Sequence, residues 1–281
     1  MRDAAPTVPR KIDLHARCRV PVDGAAFSLA TIDPDGPGQL DRKAIEAQTA
    51  ADLERIDELQ EIFYADARHA LLIVLQAMDT GGKDSTVRKV FGTIDPLGIK
   101  ATSFKKPTSE ELAHDFLWRV HHAVPAKGQI GIFNRSHYED VLVTRVHGIV
   151  DAHTCARRYR QINDFERHLS ENGTTVLKFF LHISKDEQKQ RLEDRLKDPT
   201  KHWKFNPGDL DERARWNDYQ AAYQDALRAC STKHAPWHVI PANRKWIRNH
   251  LVARVVRQAL ENLDLRYPPA HPDMAKTTVA D

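Results

Sequence analysis

The sequence has few cysteines and no long apolar run. Its three cysteines, Cys18, Cys155 and Cys230, are far apart and lack the spacing of a zinc site or a disulfide framework. The longest apolar stretch, around residues 70–78, is too short for a membrane span, which takes about 20 residues. The first thirty residues lack the apolar core of a signal peptide. We therefore expect a reduced, cytoplasmic protein with no membrane partner.

An excess of charge of one sign is also missing. The 281 residues include 42 Lys and Arg and 39 Asp and Glu, so the formal net charge at pH 7 is +3. The total charge gives no reason to expect nucleic acid as a partner, and only local clusters can argue for a polyanion. The length allows one large α/β domain or two small ones.

Helical and strand-like patterns alternate along most of the chain. Short apolar runs predict buried strands at 69–77, 100–104, 128–133, 174–183 and 237–242. Helical spacing or capping patterns predict helices at 41–67, 85–94, 109–124, 135–148, 153–171, 184–196, 209–230 and 243–263. This alternation is typical of a parallel sheet with helices on both faces.

The stretch VLQAMDTGGKDSTVRKVF, residues 74–91, is similar to a phosphate-binding loop but departs from its pattern twice. That pattern is Gly, four residues, Gly-Lys, then Ser or Thr. Here Ala77 replaces the first glycine and Asp84 follows Lys83. The stretch lies between a predicted strand and a predicted helix, where Gly81 and Gly82 allow a tight turn toward an anion. We interpret it as a phosphate loop; the alternative is an ordinary strand–turn–helix junction.

Two acids in this loop, Asp79 and Asp84, would repel a bare phosphate. They suit the loop if magnesium bridges acid and phosphate, or if one acid orients the attacking group. A later strand ends in Asn134, where a metal-binding acid is usual, and Arg135 after it is suited to clamp a phosphate. Glu139 or Asp140 is a candidate for the missing carboxylate. The alternative is that both acids only lie in the first turn of a helix, where negative charge is favourable.

A charged segment, about 184–215, is interpreted as a lid. It contains a series of cations: Lys185, Lys189, Arg191, Arg195, Lys197, Lys201 and Lys204. Such a series is often only a solvated helix face, but Arg191 and Arg195 share one face at i, i+4 and are placed to close over a polyanion. The basic pairs at 88–89 and 105–106 are candidates to line the same channel.

Five separated blocks resemble the polyphosphate kinase 2 family. They are LLIVLQAMDTGGKDSTVRKVF, TSFKKPTSEELAHDFLWRVH, GQIGIFNRSHYEDVLVTRVH, KHWKFNPGDLDERARWNDYQAAY and APWHVIPANRKWIRNHLV, within residues 40–263. The expected fold is α/β, a P-loop kinase-like three-layer fold with a central parallel sheet of about five strands and a helical lid. Its expected divisions are an N-terminal arm (1–40), one kinase domain (41–266) and a flexible tail (267–281).

The resemblance implies transfer of phosphoryl groups between inorganic polyphosphate and ADP or AMP. It implies catalytic roles for five residues: Asp79, Lys83, Arg135, Glu139 and Arg191. Phosphate or nucleotide binding is expected of Thr80, Gly81, Gly82, Lys83, Asp84, Ser85, Arg88, Asn134 and Arg195. Asp79 and Glu139 are the expected ligands of Mg²⁺, with Mn²⁺ as an alternative. With Asn134 in FNRSHYEDV, the chain resembles the subgroup that accepts both AMP and ADP. This resemblance implies that Glu139 compensates for the missing acid at 134.

Adenine nucleotides are the expected acceptors, with guanine nucleotides as an alternative. The resemblance also implies a homo-oligomer, for which a tetramer is one candidate. Two other functions stay open from the residues alone. They are an ATP-dependent nucleoside monophosphate kinase and a non-catalytic protein that binds polyanions or RNA. A GTPase switch is disfavoured because no Asn-Lys-x-Asp motif occurs.

Overall fold

Five parallel strands form the centre of the structure, a computed structural model that describes residues 18–22, 24, 26–274 and 277–278. The strands are β1 (Ala70–Gln76), β2 (Ile99–Ser103), β3 (Ile130–Asn134), β4 (Thr174–His182) and β5 (Trp237–Pro241). Their order in the sheet is β2-β3-β1-β4-β5, and every neighbouring pair is parallel. All seven residues of β1 are buried, as expected for a central strand covered on both faces.

Helices cover the sheet. They are α1 (Arg42–Asp66), α2 (Lys83–Val90), α3 (Ser109–Ala113), α4 (Trp118–His121), α5 (Val143–Val146), α6 (Ala152–Glu171), α7 (Lys185–Lys197), α8 (Gly208–Ala214), α9 (Trp216–Cys230) and α10 (Lys245–Glu261). The helix α10 packs against α1, α2, β4 and β5, while α6 packs against β4 and α9. The predicted α/β class, with five parallel strands between helices, is confirmed.

The strand order places the predicted motifs side by side. The parallel pairing of β1 with β3 sets Leu75 opposite Asn134. The loop that follows β1 and the segment that follows β3 therefore leave the same edge of the sheet as neighbours. In open α/β sheets, ligands bind at such a carboxyl edge, where successive connections run to opposite sides.

A buried ion pair fixes the segment after β3. The Lys178 ammonium, on β4, donates to a Glu166 carboxylate oxygen on α6 and to the Tyr138 hydroxyl at 2.8 Å. The Tyr138 hydroxyl in turn donates to Glu166 at 2.9 Å, and the His137 ring lies 3.2 Å from the same carboxylate. Because the side chains of Lys178 and Glu166 are fully buried, each needs the other as its counter-charge.

Three predicted helices are each divided into two elements in the structure. The predicted helix 109–124 is divided into α3 and α4, and between them the Asp115 side chain accepts a hydrogen bond from the Leu117 amide. The predicted helix 135–148 consists of a 3-10 turn, His137–Asp140, followed by α5. The predicted helix 209–230 is divided into α8 and α9 at Arg215. In each case a local side-chain bond or a bend in the backbone interrupts an otherwise helical pattern.

Part of the predicted N-terminal arm packs onto the domain. The Val20 amide donates to the Trp237 carbonyl, and the Ser231 hydroxyl donates to the Val20 carbonyl, both at 2.8 Å. Residues 1–17, 23 and 25 of the arm lie outside the described residues, as do 275–276 and 279–281 of the predicted tail. The flexibility expected of the tail stays a prediction. Within the described ranges, no helix has both the length and the apolar character to cross a membrane.

Candidate active site

The loop between β1 and α2 forms a cradle. The Gly81 amide donates to the Met78 carbonyl at 2.9 Å, which closes the turn. Thr80 and Gly82 have positive φ angles of 61° and 102°. Lys83, the first residue of α2, is buried, and its ammonium donates to the Ala77 carbonyl at 2.9 Å. Burial, with the nearby Arg135 charge, lowers the pKa of Lys83. The turn leads directly into α2, and the N-terminus of a helix is a common position for anion binding.

The alanine in place of the first glycine does not prevent this turn. The Ala77 side chain is buried, and a methyl group added at Gly81 would lie only 2.5 Å from the Ala77 Cβ. The same added methyl would lie 2.8 Å from the Met78 carbonyl oxygen. Glycine is therefore required at 81, while the loop accommodates alanine at 77.

The loop and the end of β3 are connected by two side-chain pairs. Arg135 donates to Asp79 at 2.8 Å and forms a salt bridge with it. Asn134 donates from its amide nitrogen to an Asp84 carboxylate oxygen at 2.6 Å. Arg135 has a positive φ of 63°, an uncommon conformation for a residue other than glycine. Such local strain is often found at functional sites.

The two arginines of the predicted lid differ in their contacts. Arg191 donates to the Thr80 carbonyl at 2.9 Å and the Ala242 carbonyl at 2.6 Å, and pairs with Glu187 at 2.7 Å. It therefore supports the backbone of the loop. Arg195 donates to the Lys204 carbonyl at 3.2 Å and lies 3.5 Å from an Asp209 oxygen.

Two cavities meet at the Asp79–Arg135 pair. The first, of about 480 Å³, is lined by loop residues 79–85 and many cations, and we call it the basic groove. Its cations are Lys83, Arg135, Arg191, Arg195, Lys201, Lys204, Lys245 and Arg248. The second, of about 190 Å³, we call the acidic pocket; Arg135 is its one cation among the described lining residues. Its other polar and aromatic residues include Asp79, Glu139, Asp209, Glu212, Tyr219 and Tyr223. The basic groove is also lined by four carboxylates, those of Asp79, Asp84, Asp194 and Asp209, so its cations outnumber its anions by eight to four. In the acidic pocket four carboxylates face Arg135, the one cation of its described lining, and Asp209 lines both cavities.

Two carboxylates of the acidic pocket, Glu139 and Asp209, lie where their charged forms are disfavoured. Burial raises the pKa of Glu139, although Arg135 and Lys83 oppose the shift. Burial and the Asp79 charge raise the pKa of Asp209. Carboxylates that resist ionisation through burial and mutual repulsion suit a bound divalent cation, because the cation stabilises their charged forms. The donor set of Asp79 and Glu139 fits Mg²⁺, which is usually held by one or two carboxylates together with substrate phosphates.

The sequence profile of one protein family, described as polyphosphate kinase 2, matches residues 39–268. The chain belongs to the polyphosphate kinase 2 family. It is therefore a phosphotransferase that acts between polyphosphate and nucleotides, as inferred from the sequence motifs.

Relatives of known name support this membership over almost the whole chain. An AMP/ADP-polyphosphate phosphotransferase of Meiothermus ruber is 52% identical over 257 residues, which are 89% of this chain and 94% of the relative. An ADP-polyphosphate phosphotransferase of Rhodopseudomonas palustris is 43% identical, over 80% of this chain and 82% of the relative. The crystal structure of polyphosphate kinase 2 from Arthrobacter aurescens TC1 superposes with a TM-score of 0.88 at 50% identity, covering 92% of this chain and 93% of that one.

In this polyphosphate kinase 2 chain, all but one of the predicted site residues line the two cavities. The exception is Arg88, which is exposed in the last turn of α2 and lines neither cavity. The structure also distinguishes Glu139 from Asp140, the two candidates for the missing carboxylate. Glu139 lines the acidic pocket, while Asp140 lies 3.8 Å from Arg119 and 4.0 Å from Arg158. The phosphate-binding role of Arg88 stays a prediction.

Several residues that line the site were not predicted from the sequence. They are Asp209, Glu212, Tyr219, Tyr223, Lys245 and Arg248. The first four lie in KFNPGDLDERARWNDYQAAY, and the last two lie in the block that ends in NRKWIRNHLV. Both stretches were recognised as similar to the polyphosphate kinase 2 family, so the signal was present in the blocks. It did not indicate which residues face the site.

Proposed function

We propose that this chain transfers phosphoryl groups from inorganic polyphosphate to both AMP and ADP, with Mg²⁺ as cofactor. The observation that supports the proposal is the meeting of the basic groove and the acidic pocket at Asp79 and Arg135. A bare polyanion suits the cationic side. A nucleotide that enters with a divalent cation suits the side that carries carboxylates and two tyrosines.

In the proposed arrangement, the phosphate chain lies in the basic groove and its terminal phosphoryl group reaches the Gly81–Lys83 turn. The loop amides and the Lys83 ammonium hold its oxygens. An oxygen of the nucleotide phosphate attacks the terminal phosphorus from the acidic pocket. The new P–O bond forms as the bond to the next phosphate breaks, and a polyphosphate one unit shorter leaves with that electron pair. No protein group is required to form a covalent bond, so positioning and charge stabilisation determine the rate.

Arg135 is placed to contact oxygens on either side of the transferring group, since it lines both cavities. Asp79 and Glu139 would hold the metal, and the metal would neutralise charge on the phosphates. Arg191 keeps the loop in place through its bond to the Thr80 carbonyl. Arg195 and the lysines at 201 and 204 add positive charge along the groove.

Acceptance of AMP as well as ADP is supported by two features. The Meiothermus ruber relative, at 52% identity, is named for both acceptors. In this chain the residue at the end of β3 is Asn134, a neutral amide that donates to Asp84. Asn134 therefore leaves the groove edge less negative than an acid would.

The test is incubation of the purified chain with magnesium, polyphosphate and AMP, without ATP, followed by chromatography of the nucleotides. We expect ADP first and then ATP. Matched reactions replace polyphosphate with ATP, replace AMP with GMP, or add EDTA. Product from ATP and AMP but none from polyphosphate would contradict the proposed donor and indicate a nucleoside monophosphate kinase. If AMP is converted to ADP but ADP is not converted to ATP, the proposal that both nucleotides are acceptors is contradicted.

A further inference from the structure

Arg248, on α10, is a buried cation without an anionic partner in the described part of the chain. The residue is 1% exposed. Two of its guanidinium nitrogens, Nε and Nη2, donate to the side-chain oxygen of the adjacent Asn249, at 3.2 and 2.9 Å. Its third nitrogen, Nη1, has no hydrogen-bond partner among the described residues. A buried guanidinium normally pairs with a carboxylate, since desolvation of an uncompensated charge is costly.

The nitrogen without a partner lies against the phosphate loop. A methyl group added at Gly82 would lie 2.0 Å from Arg248 Nη1 and 3.1 Å from its Cζ, so the guanidinium packs directly on this glycine. Gly82 is the residue whose positive φ turns the chain into α2. Arg248 also lines the basic groove, together with the loop. It is absent from the lining of the acidic pocket.

The surroundings of Arg248 increase its need for an anion. Burial, followed by the charge of Arg191, lowers the pKa of Arg248 to about 10, so the group stays charged at neutral pH. The next two arginines of α10 are paired differently. Arg254 and Arg257 both contact the buried carboxylate of Asp52, at 3.0 and 2.8 Å. The same helix therefore neutralises two of its arginines with an acid of the protein and leaves the one beside the loop without one.

We propose that Arg248 binds phosphoryl oxygens of the polyphosphate chain in the basic groove. It adds a guanidinium from α10 to the anion-binding groups that the loop and the lid segment supply. The proposal rests on the proposed function in one respect, the assignment of polyphosphate to this groove. A guanidinium is suited to the task because its planar fork matches phosphate oxygens, and Nη1 has no hydrogen-bond partner among the described residues. The bound anion supplies the counter-charge that the protein lacks at this position.

Ligand-induced thermal stabilisation tests the binding role. Wild type, Arg248→Met, Arg248→Lys and Arg257→Met are melted with magnesium alone, with inorganic tripolyphosphate, and with AMP. We expect tripolyphosphate to raise the Tm of wild type and of Arg257→Met. The Arg248→Met variant should lose most of this rise, Arg248→Lys should keep part of it, and the rise caused by AMP should be unchanged. Without ligand, Arg248→Met should melt no lower than wild type, whereas Arg257→Met should melt lower because Asp52 loses a partner.

Steady-state kinetics provide the second measurement. In Arg248→Met the KM for polyphosphate should rise about tenfold to hundredfold, the expected effect of losing one bond to a charged group. The KM for AMP should change by less than about twofold. If Arg248→Met does not fold, the same split between the two KM values is read from Arg248→Lys.

Three outcomes would overturn the proposal. In the first, Arg248→Met has the same Tm rise with tripolyphosphate and the same KM for polyphosphate as wild type. In the second, it loses the Tm rise caused by AMP and keeps the one caused by tripolyphosphate. In the third, its Tm without ligand is lower than that of wild type, and both ligand responses are reduced equally. The last would show that Arg248 only packs the loop. If the wild type transfers nothing from polyphosphate, the proposed function fails, while the tripolyphosphate melting curves still decide the role of Arg248.

Discussion

Arg135 and Asp79 form a salt bridge of 2.8 Å at the boundary between a cationic groove and an acidic pocket. One residue follows β3 and the other lies in the loop after β1, so the parallel pairing of these strands creates the contact. Both side chains are partly exposed, at 42% and 21%, which leaves them accessible to ligands in either cavity. In the proposed function, the pair places a cation for phosphate oxygens and an anion for a metal at the same point.

Replacement of Asp79 tests this arrangement. Asp79→Asn keeps the size of the side chain but removes the charge that pairs with Arg135 and that would hold the metal. We expect kcat to fall by at least about a hundredfold, comparable to the loss of one transition-state contact. The Tm should change little because the pair is partly exposed. Asp164→Asn, which removes an exposed carboxylate on α6, is the matched control and should retain full activity.

Magnesium titration of the same variant separates two roles for Asp79. If the carboxylate holds the metal, more magnesium should be needed to reach the remaining maximal rate. A normal magnesium requirement with reduced kcat would indicate that Asp79 only orients Arg135. Wild-type rates at all magnesium concentrations would remove Asp79 from the mechanism.

Asn134 and Asp84 provide a test of acceptor choice. Asn134→Asp replaces the donor of the 2.6 Å bond with a second carboxylate, so that two acids face each other at the edge of the basic groove. We expect their repulsion to raise the pKa of at least one of them and to shift the ratio of AMP to ADP use. The measurement is kcat/KM for each acceptor at a fixed polyphosphate concentration.

The exchanged double variant, Asn134→Asp with Asp84→Asn, is the control for this test. It restores one amide and one carboxylate, and hence the hydrogen bond, with the two groups reversed. Recovery of rate without recovery of the acceptor ratio would show that position 134 itself selects the acceptor. An unchanged ratio in the single variant would show that it does not.

Much of this site could be predicted from the sequence because its residues are adjacent to strand ends. The buried run before Asp79 and the apolar run before Asn134 mark two strands, and parallel strands bring their carboxyl ends together. The breaks in two predicted helices could not be predicted from helical spacing, because the chain is interrupted locally near Asp115 and at Arg215. Arg248 could not be assigned to the groove from spacing alone. Its position depends on how α10 packs beside α2, which is a long-range contact.

Glu139 predicts a pH dependence. Burial raises the pKa of this carboxyl above its ordinary value, so it becomes ionised only at higher pH than an exposed glutamate. If the charged form holds the metal, the rate at limiting magnesium should rise with pH through this raised pKa. Saturating magnesium should move the rise to lower pH, because the metal stabilises the charged form. Rate profiles at two magnesium concentrations measure the shift.

Glu139→Gln is the variant that assigns this profile. It removes the ionisation while keeping the shape of the side chain, so the magnesium-dependent part of the profile should disappear together with most of the rate. The same profile in the variant would assign the ionisation to another group, for which Asp209, with its raised pKa, is the next candidate.

The buried pair beneath the site, Lys178 and Glu166, should be essential for stability. Lys178→Met leaves the buried Glu166 carboxylate with His137 and Tyr138 as its hydrogen-bond partners among the described residues, and we expect a loss of about 3–5 kcal/mol in the free energy of unfolding. The double variant Lys178→Met with Glu166→Gln should recover part of the loss because no charge remains uncompensated. Urea unfolding at pH 7 measures both. A Lys178→Met variant as stable as wild type would show that the pair contributes nothing.

Acid should weaken this pair in the wild type. Burial alone would raise the pKa of Glu166, but the Lys178 charge and the His137 contact hold it below the ordinary value. The carboxylate therefore contributes stability at pH values above the pKa of an unfolded glutamate, and the contribution is lost as pH falls through the lowered folded value. The stability difference between wild type and the double variant should accordingly shrink as urea unfolding is repeated from pH 7 to pH 3. A difference that does not change over this range would place the contribution of Lys178 in packing rather than in charge.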